Sequence, residues 1–232
     1  MRFAFSAPSI LAALEDLFNP DLLISRLSED HELARLFAAD AGVWEKYTIR
    51  EHTLMVLDIF ERFQASHVSE SERRFFRLFL ALHDIGKSLA IEQTGEKSNQ
   101  AQFTGPILAA VLKYCEFEER WVRLVVELEH HDLLGQYLKD QVSLDEAVDQ
   151  LEDIADITGF SSKEVLQYLT IFYQSDAGAY TETAGGKYSL DYLFEFDETT
   201  HQMLFSKHMH SNAHFKTKSP SSKMNELTKF WA

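Results

Sequence analysis

A histidine and an aspartate stand side by side at the point where an apolar stretch of the chain ends. His83 and Asp84 follow residues 75–82, which are apolar except for Arg77, and Gly86 and Lys87 come shortly after them. A buried charge is costly unless it is paired, hydrogen-bonded or bound to a metal, and one divalent cation can satisfy both a carboxylate and an imidazole. The pair therefore predicts a metal site, and a His–Asp hydrogen bond that closes a helix end is the alternative interpretation.

Three further positions could add ligands to such a site. Thr48 and Glu51 form a capping-box pattern, which would place His52 in the first turn of an inward-facing helix. A second apolar helix ends in Glu-His-His-Asp at 129–132, and Asp176 follows an aromatic run. A hydrogen-bonded core histidine at His52 and a solvated helix end at Asp176 are the alternatives that involve no metal.

Helices are expected to position all of these groups. The chain has 232 residues, of which 45% are hydrophobic, and only 9 glycines and 4 prolines. This composition favours one sizeable helical core over a loop-rich β-fold. Apolar periodicity predicts two or three short helices in 8–39 and longer helices that begin near residues 48, 69, 106, 117, 143 and 161. The polar residues 88–105 predict a mobile loop beside the His–Asp pair.

The C-terminal part of the chain has the least regular pattern. Residues 189–215 predict a short β-hairpin, 216–223 a basic, serine-rich linker, and 224–231 a terminal helix. The predicted fold class is therefore an all-α helical bundle with a possible short C-terminal β-hairpin. Four histidines near the hairpin have polar surroundings, so we interpret them as surface residues rather than metal ligands: His201, His208, His210 and His214.

Charge and composition limit the classes of partner that the chain could bind and the compartment in which we expect it. The 22 basic and 37 acidic residues give a net charge of −15, which disfavours duplex nucleic acid and anionic membranes as partners. A local lysine or metal can still attract a small phosphorylated molecule. No window reaches the roughly 18 apolar residues of a membrane span, and the start does not read as a secretory signal. The single cysteine, Cys115, excludes an intrachain disulfide and suits a reducing compartment, so we expect a cytoplasmic protein.

The order of the candidate ligands resembles that of a known family. His52, the pair His83-Asp84 and the distant Asp176 follow the H…HD…D pattern of the HD-domain metal-dependent phosphohydrolase superfamily, which has an all-helical scaffold. Three local strings are similar to motifs of that family: REHTLMVL at 50–57, LALHDIGK at 80–87 and EHHD at 129–132. The resemblance covers about residues 45–180. It implies an N-terminal helical extension packed on the core over 1–44, an HD-domain core over 45–182, and a C-terminal elaboration and tail over 183–232.

The same resemblance implies a ligand set and its chemistry. His52, His83, Asp84 and Asp176 would bind one divalent metal, for which Mn, Fe, Ni, Co, Zn and Mg are the candidates. The metal would activate a water for attack on a phosphoester. Lys87 would balance charge on the substrate phosphate, or else be a solvated helix-end lysine, and Asp84 would also act as base or orient the water. Contacts to the substrate or to a second metal are implied for His130, His131 and Arg50.

Two departures from the family pattern matter. Members with two metals usually carry another histidine between the His–Asp pair and the later histidine pair, whereas residues 98–108 contain none. Asn99, Gln100 and Gln102 are the candidates for its position, and amides are poor substitutes for imidazole at a transition metal. One metal per chain is therefore expected. Residues 135–138 only partly match the signature of diguanylate-degrading members, which argues against cleavage of cyclic dinucleotides.

The resemblance therefore implies a metal-dependent phosphohydrolase. It would cleave a phosphomonoester or phosphodiester of a small phosphorylated, nucleotide-like substrate. The alternative is a non-catalytic HD-like module that binds a nucleotide or a partner protein and holds a structural metal. A di-iron oxygenase would need more ligands than the sequence offers. The exact substrate, the metal and the oligomeric state are left open by the sequence.

Overall fold

Helices make up most of the described chain. The computed structural model describes residues 2–15, 17–43, 46–181, 190, 192–197, 199–208 and 217–231. Within these ranges the helices are accompanied by one two-stranded antiparallel sheet, which confirms the predicted all-α class with a short C-terminal hairpin. The chain divides into two compact units, Met1–Asp58 with Ala65–His130 and Ile59–Gln64 with His131–Ala232. The three regions implied by the resemblance stay a prediction.

The first unit contains the helices that carry the His–Asp pair. In chain order they are α1 (Ala7–Ala13), α2 (Pro20–Leu27), α3 (His31–Phe37), α4 (Ile49–Phe63), α5 (Glu70–Leu82), α6 (Lys87–Thr94), α7 (Ala101–Tyr114) and α8 (Glu119–His130). Short 3-10 helices lie at Ala65–His67 and Lys97–Asn99, and the C-terminal end of α4 belongs to the second unit. Helix α5 packs on α2 and α7, and α7 packs on α8. The short helices predicted in 8–39 are confirmed as α1 to α3.

Side-chain caps fix the start of several helices. The Thr48 backbone N–H donates to the Glu51 carboxylate at 2.8 Å, and the Glu51 N–H donates to Thr48 Oγ1 at 3.2 Å. Ser69 and Glu72 make the same reciprocal pair at the start of α5. Each cap satisfies backbone donors that have no partner inside the helix and contributes about 1 kcal/mol. The predicted starts near residues 48 and 69 are confirmed, and the first of them defines the turn that carries His52.

The second half of α5 is buried on all sides. Residues 75–82 are all shielded from solvent, and Phe75 stacks on Trp121 of α8 with ring centroids 4.3 Å apart. The one charged member, Arg77, donates to the Leu14 carbonyl at 2.6 Å. A helix that is apolar around its circumference belongs to the interior. His83 caps the C-terminal end of this helix, so the packing of α5 fixes where the His–Asp pair leaves it.

The chain after the His–Asp pair is more helical than predicted. The prediction of a loop over 88–105 is wrong, because α6 occupies its first part and α7 begins at Ala101 rather than near Pro106. Residues 91–98 are exposed, so their polar side chains show no apolar period that would indicate helix. Pro106 lies inside α7, where it removes a single backbone donor.

The second unit combines helices with the hairpin. Its elements are α9 (Leu133–Leu138), α10 (Leu144–Thr158), α11 (Ser162–Gly178), β1 (Phe194–Asp197), β2 (Gln202–Phe205), α12 (Pro220–Thr228) and a 3-10 helix at Lys229–Trp231. The strands pair antiparallel, with Phe194 opposite Phe205 and Asp197 opposite Gln202. Capping boxes at Ser143 and Ser161 start α10 and α11, which confirms the helix starts predicted near residues 143 and 161.

The C-terminal helix begins earlier than predicted. The linker predicted over 216–223 is wrong for its last residues, because Ser219 caps α12 and Pro220 occupies its first position, where the missing N–H costs nothing. Lys223 is buried in this helix. Its ammonium donates to the Tyr137 carbonyl at 2.7 Å and to Asp140 Oδ1 at 2.6 Å.

The exposure of the histidines near the hairpin agrees with one further expectation within the described residues. His201 and His208 are exposed, as predicted, whereas His210 and His214 lie outside the described ranges. None of the described helices is long and apolar enough to cross a membrane.

Candidate metal centre

His83 is oriented by the helix that it ends. Its Nδ1 lies 2.7 Å from the carbonyl oxygen of Leu80 in α5. Because a carbonyl oxygen only accepts, Nδ1 must donate, and Nε2 of the neutral ring then carries the lone pair. Histidines that bind metals are usually fixed by such a bond from the second ring nitrogen. The lone pair of His83 Nε2 is therefore available to bind a metal ion.

Three ligand atoms converge from the first turn of α4 and the connection between α5 and α6. His52 Nε2 lies 3.7 Å from Asp84 Oδ2, and His83 Nε2 lies 3.8 Å from the same oxygen. One ligand atom of each residue lies within 4.8 Å of the other two. None of these side chains is more than 4% exposed. The cluster is thus a buried group of two imidazoles and one carboxylate.

The separations in this cluster suit a shared cation. An N–H···O hydrogen bond spans about 2.7–3.2 Å, so the 3.8 Å between His83 Nε2 and Asp84 Oδ2 is too long for the helix-closing bond that is the alternative interpretation. Two atoms that are each about 2.1 Å from a tetrahedral metal would lie about 3.4 Å apart. Imidazole nitrogen and carboxylate oxygen are also ordinary metal ligands. His52, His83 and Asp84 could therefore hold a divalent metal ion.

Both oxygens of Asp84 have polar neighbours. Lys87 Nζ donates to Oδ2 at 2.5 Å, and the Gln100 side-chain amide donates to Oδ1 at 3.2 Å. Lys87 is the first residue of α6, and its side chain is 10% exposed. It is therefore not the solvated helix-end lysine of the alternative interpretation. The ion pair offsets the cost of burying the carboxylate.

The sequence alone does not assign a role to Gln100. It offers three amides, at 99, 100 and 102, in place of a histidine, and the structure separates them. Asn99 donates to Thr94 Oγ1 at 3.0 Å, and Gln102 is exposed, whereas Gln100 reaches Asp84. Gln100 lies directly before α7, and this position could have distinguished it from the other two amides. The sequence does not show where α7 begins, because the surrounding residues are polar.

Two of the other predicted site residues, Arg50 and His130, lie outside the three-residue cluster. Arg50 forms an exposed ion pair with Asp21, and His130 is exposed at the end of α8. Neither belongs to the potential metal group found among the described residues. His131 and Asp176 are half-buried in the second unit. The roles implied for these four residues stay predictions.

Within the second unit, Asp176 lies near a buried aromatic hydroxyl. Burial raises the pKa of Tyr173, which precedes Asp176 by about one turn of α11, and the negative charges of Asp132 and Asp176 raise it further. The hydroxyl of Tyr173 therefore keeps its proton throughout the ordinary pH range. It is available as a hydrogen-bond donor rather than as an anion.

No protein-family model, curated protein or solved structure matches this chain. Membership of the HD-domain superfamily therefore stays a prediction from the residues themselves. Its support is the order of His52, His83, Asp84 and Asp176 along the chain and the convergence of the first three.

Proposed function

We propose that this chain is a metal-dependent phosphohydrolase of the HD-domain type. The observation that carries the proposal is the convergence of His52 Nε2, His83 Nε2 and Asp84 Oδ2, whose separations suit one divalent cation. The sequence resemblance supplies the reaction, which is hydrolysis of a phosphomonoester or phosphodiester. It also supplies the substrate class, a small nucleotide-like molecule, and adds Asp176 as a fourth ligand.

The donor set narrows the choice of metal. Two imidazole nitrogens favour Mn, Fe, Co, Ni or Zn over Mg, which prefers oxygen ligands. One ion per chain is expected, because residues 98–108 lack the histidine that family members with two metals usually carry. His130, His131 and Arg50 are then left for contacts to the substrate or to a second, weaker ion.

Two residues of the chain would act on the substrate and the water. A divalent cation held by His52, His83 and Asp84 would polarise a phosphoryl oxygen and lower the pKa of an attacking water. In this proposal the Asp84 carboxylate would orient that water or accept its proton. The Lys87 ammonium, which lies next to Oδ2, pairs with a phosphate oxygen. Solvent screens these charges less than surface charges, because both side chains are largely buried.

A non-catalytic module with a structural metal is the second candidate. The observation in its favour is the burial of the three ligands, none of which is more than 4% exposed. Structural metal sites are closed, whereas catalytic sites keep an open position for water or substrate. Such a module would hold the cation, bind a nucleotide or a partner protein, and hydrolyse nothing.

Metal content and hydrolysis together test the proposal. The full chain, Asp84→Asn and the surface control Asp149→Asn, an exposed carboxylate on α10, are purified without chelators or a histidine tag and analysed by mass spectrometry. We expect about one transition metal in the wild type and the control, and a loss of roughly tenfold or more in Asp84→Asn. Far-UV circular dichroism checks that all three proteins are folded.

The same proteins are then assayed with phosphomonoesters and nucleotides after loading with Mn, Fe, Ni, Co, Zn or Mg. Hydrolysis by the wild type and the control, with loss in Asp84→Asn, is the result expected of the enzyme. Metal binding without hydrolysis of any substrate would favour the structural module instead. If no metal binds, both candidates are wrong.

A further inference from the structure

The connection between α5 and α6 lies directly on the first turn of α7. The Gly86 backbone N–H donates to Thr104 Oγ1 at 3.1 Å, and both groups are buried. A Cβ atom at Gly86 would lie 2.4 Å from the Thr104 backbone nitrogen, so glycine is required for this close approach. The start of α7 is therefore fixed against the backbone that follows Asp84.

Gln100 extends from this fixed position. It is the residue directly before α7, and its side-chain amide donates to Asp84 Oδ1 at 3.2 Å. The other carboxylate oxygen, Oδ2, faces the two histidines and accepts from Lys87. The two oxygens of Asp84 therefore have different partners.

We propose that Gln100 is a positioning residue that holds Asp84 so that Oδ2 faces His52 and His83, an inference that rests on the proposed metal site. The terminal torsion of an aspartate is soft, so a donor on Oδ1 is needed to limit its rotation. Lys87 cannot do this alone, because its ammonium is carried by a flexible four-carbon stem. A neutral amide donates this bond without adding a charge that would oppose a cation.

Gln100 hydrogen-bonds a proposed metal ligand but is not itself a ligand, and this sets the expected loss of metal affinity when Gln100 is replaced. Loss of a side chain that hydrogen-bonds a metal ligand typically lowers metal affinity by about 10- to 100-fold. Gln102 offers a matched control, because it is the same residue type in the first turn of α7 but is exposed.

The experiment uses the full chain and Co²⁺ as the probe. Wild type, Gln100→Ala, Gln100→Met and Gln102→Ala are titrated by calorimetry, and the visible absorption bands of the bound Co²⁺ are recorded. We expect both Gln100 variants to bind the ion about 10- to 100-fold more weakly and with shifted bands, and Gln102→Ala to match the wild type. Gln100→Met keeps the side-chain length, so it carries the test if Gln100→Ala does not fold.

The visible absorption bands of the bound Co²⁺ distinguish a positioning role of Gln100 from a merely structural one. A structural role would lower the stability of the variants and leave the spectrum of their bound Co²⁺ unchanged, which would overturn the proposal. Wild-type affinity and spectrum in both Gln100 variants would also overturn it, while the proposed function would stand. If the wild type binds neither Co²⁺ nor any of the other metals, the proposed function falls as well.

Discussion

Lys87 Nζ lies 2.5 Å from Asp84 Oδ2, the same oxygen that lies 3.7 Å from His52 Nε2 and 3.8 Å from His83 Nε2. A cation bound by the cluster would therefore share a ligand atom with the lysine ammonium. Charges of +1 and +2 that are about 4 Å apart repel by about 8 kcal/mol at an effective dielectric constant of about 20. Lys87 thus stabilises the buried carboxylate but would oppose the binding of a metal ion there.

Replacement of this lysine is expected to strengthen metal binding. Lys87→Met removes the competing charge, so we expect Mn²⁺ to bind roughly tenfold more tightly or better in titration calorimetry. The proposed phosphoester hydrolysis should fall, because the proposed phosphate partner is lost. Lys97→Met is the control, since Lys97 is exposed and donates to the Gly42 carbonyl at 3.3 Å. Weaker Mn²⁺ binding in Lys87→Met would contradict the competition for Oδ2.

Two glycines of the first unit are expected to respond oppositely to alanine. At Gly86 a Cβ would lie 2.4 Å from the Thr104 nitrogen and 2.8 Å from the Phe103 carbonyl carbon, so Gly86→Ala should lower the free energy of unfolding by about 3 kcal/mol. At Gly105, inside α7, a Cβ meets nothing within 4 Å, so Gly105→Ala should raise it by roughly 0.5–1 kcal/mol. Urea unfolding measures both, and equal changes would be evidence against the close approach of Gly86 to α7.

The buried lysine of α12 is expected to hold this helix in place. Lys223→Met leaves the Asp140 carboxylate, whose side chain is 27% exposed, without its ammonium. We therefore expect a loss of about 2–3 kcal/mol in the free energy of unfolding and faster hydrogen exchange in α12. The exposed Lys229, in the 3-10 helix after α12, provides the control Lys229→Met. Similar exchange rates in the two variants would show that the ion pair does not stabilise the helix.

Cys115 is expected to be protected from thiol reagents. Burial raises the pKa of its thiol to about 11, and the residue is only 2% exposed. Since the thiolate is the reactive form, the folded protein at pH 8 should react with a disulfide reagent only as fast as it unfolds. Rapid reaction of the native protein, at a rate well above that of unfolding, would contradict the burial of this thiol.

The raised pKa of Cys115 also predicts how the free energy of unfolding changes at alkaline pH. An unfolded thiol with the ordinary value of 9.0 loses its proton first, whereas the folded protein keeps the proton up to about pH 11. The folded state therefore binds more protons within this window, and the free energy of unfolding falls as pH rises. Urea unfolding at pH 8 and pH 10 should show a larger decrease for the wild type than for Cys115→Ala; equal decreases would oppose this assignment.

Local signals explain why much of the helical framework could be predicted from the sequence. Thr48 and Glu51 lie within one turn, so their cap, and with it the turn that carries His52, is visible as a short pattern. The apolar run at 75–82 indicates a buried helix, and its end predicts where His83 and Asp84 emerge. The convergence of the three ligand atoms is a contact between distant residues that the structure adds to these local signals.

Contacts between distant residues explain what could not be predicted. Gln100 reaches Asp84 across 16 positions, and Thr104 reaches Gly86 across 18. Both contacts belong to a stretch whose exposed polar side chains conceal its helices. A pattern of residue types carries no information on which of several neighbouring amides points toward a buried carboxylate. The proposed role of Asp176 as a ligand is supported only by its place in the order of candidate ligands along the chain.

The burial of α5 has a consequence for how related sequences could diverge. Residues 75–82 are enclosed on every side, so a polar replacement there would leave an unsatisfied group in the interior and reduce stability. His83 and Asp84, by contrast, can each be lost by one substitution without altering that apolar run. A related chain that lacked the proposed metal ligands could therefore still carry the enclosed helix.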